Sequence, residues 1–263
     1  MKWLSTVAGL ALLSFFGCQD GSGEVFEVHP PGPEPIAVGG VTLPSLQPGQ
    51  HQAVDLPKSG HVKPEGKVLH IPKGGQFLVS LTPLRRDLTR DFTLELWLWL
   101  EHDADQTIIA TGNNGLRVVL DNCALVAEVG GQRLTGPLTT KQEWFHLALV
   151  VDGSEAKLYV NGAVQDREFL PETWDRPRGS LVMGHIPNNS RPFAGDVDNL
   201  RLVAEAIYTQ ANVSVGTKMV PVDDTLFGFN FEHEIPGGGI PDIAGKGIHA
   251  KILGNATIAP GHV

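Results

Sequence analysis

Cysteine is nearly absent from this 263-residue chain, which holds only Cys18 and Cys123. Two cysteines cannot build the disulfide framework on which small exported domains depend, and a domain of this size can stand on its hydrophobic core without one. No cationic surplus is present either. Against 29 Asp and Glu stand 20 Lys and Arg, a formal charge of −9, which argues against nucleic acid and against adsorption on anionic lipid. No segment shows a sustained helical stripe, and beyond the N-terminal stretch no apolar run is long enough to span a bilayer. The ten histidines form no His-Glu-x-x-His and no close pair, so zinc has no support in the sequence. A Gly-x-Ser-x-Gly elbow and a phosphate-binding loop are likewise missing.

What the chain does have is turns. Its 31 glycines and 19 prolines favour many short strands over long helices. Trp144–Gly162 reads as two strands joined by a turn. Leu147, Leu149 and Val151 alternate with His146, Ala148 and Val150 before Asp152-Gly153, and Leu158 and Val160 alternate with Lys157 and Tyr159 before Asn161-Gly162. Further strands are expected at 77–81, 91–100, 107–110, 116–120, 124–129, 180–184 and 195–202, with Asp224–Phe231 as an alternating strand near the end. Short strands at this spacing, parted by Gly and Asn turns, describe an all-β, antiparallel two-sheet sandwich or jelly roll.

The N-terminus predicts export. Met1-Lys2 precedes an apolar run from Trp3 to Phe16, too short for a comfortable membrane span and suited to a signal peptide. Gly17-Cys18 resembles the lipobox of bacterial lipoproteins, whose cysteine becomes the acylated first residue. The expectation is a signal peptide over 1–17, with acyl chains on Cys18 tying the protein to the outer membrane, the cell surface or the periplasmic face. Residues 18–66, rich in Pro and Gly around His29–Pro35, are expected to form a tether, with 36–38 and 54–56 as candidate edge strands. Cys123 has no basic neighbour in the chain to activate it and is expected to be an inert core cysteine.

Five motifs occur in order: Phe92-Thr-Leu-Glu-Leu-Trp97, Trp144-Phe-His-Leu-Ala, Leu158-Tyr-Val-Asn-Gly162, Met183-Gly184 and Gly195-Asp-Val-Asp-Asn-Leu-Arg-Leu202. Together they resemble the laminin-G-like, concanavalin-A-like jelly-roll superfamily over roughly Val68 to Tyr208. The Asp242–Gly254 segment resembles an Asp-x-x-Gly-x-Gly-x-x-Gly stretch found beside such domains. The resemblance therefore implies one jelly-roll domain over 67–263, with 224–263 completing it.

Chemistry is sparse. Jelly-roll glycoside hydrolases carry Glu-x-Asp-x-x-Glu on one strand, and retention needs two carboxyls about 5–5.5 Å apart. Here Glu101-His-Asp-Ala-Asp105 follows a strand, and Gln106 stands where the second Glu should be. The resemblance makes calcium a possible cofactor, for which Asp196 and Asp198, on one side of their strand, are the candidate ligands, with Asn199, Asp223 and Asp224 as further oxygen donors. Trp97 and Trp99 share a strand face with Glu95, opposite Leu94, Leu96 and Leu98, and the resemblance implies that the tryptophan side helps fill the sandwich. Trp174 lies on a loop and is the better candidate for contact with a sugar ring. The turn-rich loops 111–115 and 187–191 add Asn113, Asn114, Asn188 and Asn189 as candidate ligand-binding residues.

The expectation is thus a non-catalytic binding or adhesion module of an exported lipoprotein, with a glycan or an extracellular protein as partner and no nucleic acid. The alternatives are a glycoside hydrolase or lyase with unrecognised acids, and a structural envelope component.

Overall fold

A computed structural model describes residues 65–84, 88, 91–137, 142–184 and 191–262. The expected signal peptide, most of the expected tether, Cys18, Asn188 and Asn189 lie outside the described residues. Two antiparallel sheets face each other across a shared core. The first runs β10 (Ala163–Phe169), β9 (Glu155–Val160), β8 (Phe145–Asp152), β3 (Phe92–Leu100), β12 (Gly195–Val203), β1 (Lys67–Ile71) and β16 (Thr257–Pro260), with β13 (Thr225–Phe229) also paired to β12. The second runs β14 (Gly239–Ile240), β15 (Ala250–Leu253), β2 (Gln76–Ser80), β11 (Ser180–Gly184), β4 (Gln106–Thr111), β5 (Leu116–Asp121), β6 (Ala124–Val129) and β7 (Gln132–Pro137). This is the two-sheet jelly-roll sandwich expected from the sequence.

The period-two pattern explains the core. Leu94, Leu96, Leu98 and Leu100 of β3, Leu147, Leu149 and Val151 of β8, and Leu158 and Val160 of β9 all point between the sheets. From the second sheet, Val118, Leu120, Leu125, Ala127 and Leu134 meet them. Phe227, Phe229 and Phe231 line one side of β13, and Phe77 packs edge-on against the latter two at 5.6 and 5.7 Å between ring centroids.

Hairpins follow the turn chemistry. Asn161-Gly162, Gly130-Gly131 and Asn122-Cys123 each place two consecutive residues at positive φ between paired strands, the type I′ geometry whose twist matches the strands. The first was legible as Asn-Gly. The third corrects an expectation: Cys123 occupies the turn, half-buried, at φ 62. It is therefore not a core cysteine. Strands β7 and β10 were not expected from the sequence. Their apolar residues are too few and too irregular to stand out, and they are set by pairing with β6 and β9.

The second correction concerns the tryptophans. Because the leucine side of β3 fills the sandwich, Glu95, Trp97 and Trp99 point out of it. That outer face is nevertheless closed, with Trp97 2 % and Trp99 8 % exposed. A strap of irregular chain, residues 204–220, lies across it. Ala148, Val150 and Tyr159 of the sheet pack there with Ala206, Tyr208 and Val213 of the strap. The strap has few backbone partners of its own, and buried carbonyls need donors. Sheet side chains supply them. Trp97 Nε1 donates to Gly216 O, Tyr159 Oη to Tyr208 O and Gln210 O, and Asn199 Nδ2 to Thr217 O.

At the centre of this layer Glu95, fully buried, accepts hydrogen bonds from Arg201 Nε at 2.7 Å and Tyr208 Oη at 2.6 Å. His146 Nε2 stands 3.1 Å from the same carboxylate and must carry the proton, since an ionised carboxylate only accepts. Arg201 also donates to Val220 O of the strap. Burial works against a charged Glu95, but the hydrogen bond and charge of His146, with Arg201 and Tyr208, outweigh it and hold the carboxyl below its ordinary range. Removing one partner strands a buried charge. Glu95→Ala should cost about 3–5 kcal/mol, read as a lower denaturant midpoint, and the strap should become open to limited proteolysis. A midpoint within error of wild type would contradict this account of the layer.

Candidate functional site

With one outer face covered, the face of the second sheet and the loops at its ends remain for recognition. On that face Leu78, Val182, Arg117, Glu128 and Arg133 stand in one cross-strand row and stay half-buried or exposed. Its charges are paired: Arg117 with Glu128 at 2.9 Å, and Arg133 with Asp121 at 2.6 Å. No aromatic side chain occurs in that row.

The loop candidates divide. Asn113 joins the turn after β4 to the chain before β11. Its Nδ2 donates to Arg176 O at 2.8 Å, and its Oδ1 accepts from Arg178 N at 2.9 Å and Gly115 N at 3.2 Å. The carboxamide of Asn113 is therefore spent on tying loop 111–115 to loop 171–178. Gly115 is required at this seam, because a Cβ there would lie 2.8 Å from Asp175 O. Asn114, at φ 54, is exposed on the rim that results. Trp174 belongs to the same rim. It is half-buried against the core, lies beside Gly130 and Leu170, and carries the Arg176 guanidinium 4.1 Å from its ring centroid. Loop tryptophan, cation and asparagine turn thus form one pre-built edge.

Asn188 and Asn189 lie outside the described residues, and only their flanks are placed. Gly184, before them, sits at the end of β11 that pairs with Gln76, and Arg191, after them, bonds Asp105 at 3.1 Å. Both flanks lie at the opposite end of the second sheet from Thr111 and Ser180.

The acidic motif after β3 has structural duties. Asp105 accepts from Asn122 N at 2.8 Å and pairs with Arg191, while Glu101 is exposed beyond the strand. Gln106, in the position of a second catalytic acid, is buried. It donates to His102 O and accepts from Ala194 N. Its amide joins the β3–β4 turn to the chain entering β12.

The proposed calcium ligands are not brought together. Asp196 and Asp198 do share the outer side of β12, as their spacing requires. However, Asp223 and Asp224 lie at the far end of that strand, where Thr225 pairs with Val203. Asp196 is taken by His70 Nδ1 at 2.7 Å and by His262 Nδ1. Asp198 accepts from its neighbour Asn199, from the backbone N at 2.7 Å and from Nδ2 at 2.8 Å. Among the described residues, no group of three or more His, Cys, Asp or Glu is placed to hold a metal.

Burial pushes the Asp198 carboxyl up to about 8, with the charge of Glu232 adding to it. In the fold the group is neutral below about pH 8, whereas its ordinary value is 3.8. The folded state therefore holds a proton that the unfolded chain has lost between these values, and stability falls as pH rises through that window. Asp198→Asn removes the titration. Thermal melts should show wild type losing ground to the variant steadily from pH 5 to pH 8, and a gap constant across that range would refute the shift.

A family profile described as the concanavalin A-like lectin/glucanases superfamily matches residues 73–213. No curated protein matches the chain. Among solved structures, a candidate carbohydrate-binding protein from Bacteroides ovatus is 20 % identical, with TM-score 0.57 over 75 % of this chain. This chain spans 60 % of that protein. A SAP-like pentraxin from Limulus polyphemus is 13 % identical over 76 % of this chain and 98 % of its own, with TM-score 0.47. The binding domain of botulinum neurotoxin serotype D is 13 % identical over 54 % of this chain and 39 % of its own, with TM-score 0.45.

Proposed function

The chain belongs to the concanavalin A-like lectin/glucanases superfamily, and we propose that it is a non-catalytic module that binds a glycan at the rim formed by loops 111–115 and 171–178. One observation carries this reading: Asn113 knits two loops into a single edge that presents Trp174, Arg176 and Asn114 together. A loop held in place before binding loses little entropy on contact, which is what a weak, hydroxyl-rich ligand requires. Tryptophan offers a flat apolar face to sugar C–H groups, and arginine and asparagine offer donors to hydroxyls. The structural duties of Asp105 and Gln106 support binding without hydrolysis. The carbohydrate-binding description of the Bacteroides ovatus structure, whose fold this chain shares, points the same way.

The test is a glycan array probed with the full chain, followed by titration of whatever is retained. Trp174→Ala and Asn114→Ala should each weaken binding at least about ten-fold, a loss of roughly 1.4 kcal/mol or more, and no reducing ends should appear with any polysaccharide offered. An array blank at millimolar glycan, or turnover of a polysaccharide, overturns the reading.

In this proposal the module works outside the cytoplasm, held to a membrane by acyl chains on Cys18 and spaced from it by the 18–66 tether. Labelled palmitate should enter the wild-type protein in a bacterial host, and Cys18→Ser should abolish the label. Persistence of label in the variant would rule out the anchor.

A further inference from the structure

At the end of the covered face, beyond the strap, a second constellation has the form of a ring-binding subsite. Trp99 of β3 is its floor. Over that floor lies the imidazole of His262, stacked with centroids 3.8 Å apart and planes 2° from parallel. The wall is Asp196 of the neighbouring strand, 1 % exposed, one oxygen accepting from His262 Nδ1 and the other from His70 Nδ1. His70 closes the side, its ring centroid 6.3 Å from that of His262. Trp144 Nε1 donates to His262 O at 3.3 Å and holds the segment in place.

The chemistry that His262 satisfies is specific. Its ring lays a flat face on an indole and offers one N–H to a buried carboxylate. A pyranose presents the same pair of features: a face of C–H groups and, at its rim, a hydroxyl donor. His262 therefore stands where a stacked sugar would stand. Neither Trp99 nor Asp196 has a duty to the strap comparable to that of Trp97, Tyr159 or Asn199. His262 sits on irregular chain after β16, its side chain 45 % exposed, so its removal disturbs no strand pairing.

We propose that Trp99, Asp196 and His70 form a second sugar-binding subsite that the chain's own His262 occupies, so that glycan must displace this residue to bind there. The proposal rests on the glycan reading above and adds a self-occupied site to it. Displacement of His262 leaves Trp99 open for stacking and frees one Asp196 oxygen, while His70 keeps the other oriented. The intramolecular occupant competes with a soluble sugar, which lowers the apparent affinity of the subsite by the fraction of time it is covered.

The test uses His262→Ala in the full chain, with a chain truncated before His262 as the second variant. Glucose, galactose and N-acetylglucosamine are titrated against tryptophan fluorescence, and acrylamide quenching reports whether Trp99 is uncovered. The expected result is increased quenching and at least ten-fold tighter binding of one of these sugars. The gain should vanish in His262→Ala/Trp99→Leu and survive in His262→Ala/Trp174→Ala. A folded His262→Ala protein with Trp99 uncovered but unchanged sugar affinities overturns the proposal, even where wild type retains glycan at the rim. Absence of binding of all three sugars in every form overturns this proposal, and a blank glycan array beside it overturns the glycan reading as well. A gain abolished by Trp174→Ala assigns it to the rim and overturns the subsite alone.

Discussion

Strand β3 is buried on both faces, and the rest of the molecule is arranged around that demand. Its leucine side is satisfied by the opposing sheet, as in any sandwich. Its other side carries Glu95, Trp97 and Trp99, which water cannot be left to cover without exposing a large apolar patch. Residues 204–220 cover Glu95 and Trp97 while His262 lies over Trp99, and a strap without regular structure brings unpaired carbonyls with it. Trp97, Tyr159, Asn199 and Arg201 answer those carbonyls with donors, and Glu95 neutralises the arginine that reaches the strap. The buried carboxylate is thus the consequence of closing a sheet with irregular chain.

Closing one face has a functional consequence. The sandwich is left with a single open sheet surface, lined by paired charges and free of aromatics along its central row, and with the loops at its ends. In the proposed reading the glycan is met first at the loops, where Asn113 replaces missing strand pairing as the element that holds shape. The same economy explains Asp105 and Gln106. In a hydrolase of this fold, acids at such positions would face a cleft. Here they tie the β3–β4 turn to β5 and β12, and the residues after β3 serve the scaffold.

Much of this was legible in the sequence. Alternation placed Leu147, Leu149 and Val151 on the core side of β8, because a period of two leaves no other assignment. Asn161-Gly162 announced its turn, since few residue pairs accept two positive φ values. Asn122-Cys123 adopts the same turn but hides it behind a residue that ordinarily reads as core. Strands β7 and β10 escaped notice because pairing with β6 and β9, rather than apolar pattern, makes them strands. The tryptophan face of β3 lies outside the sandwich, contrary to expectation, for a similar reason. Periodicity separates two faces, yet it does not say which of two apolar faces meets the other sheet.

The candidate site was legible as residue types and not as a group. Loop composition singled out Trp174, Asn113 and Asn114, but their union on one rim depends on Asn113 reaching Arg176 and Arg178, more than sixty positions away. His70, Asp196 and His262 are scattered along the chain, and nothing in their local sequence marks them as partners. By itself the sequence determined the fold class, the core side of most strands and the tight turns, because these follow from local backbone preference and period-two alternation. Which outer face is closed, which asparagine is spent on scaffold and which histidine lies on Trp99 were decided by tertiary structure, because each depends on contacts between segments that the folded chain alone brings within hydrogen-bonding distance.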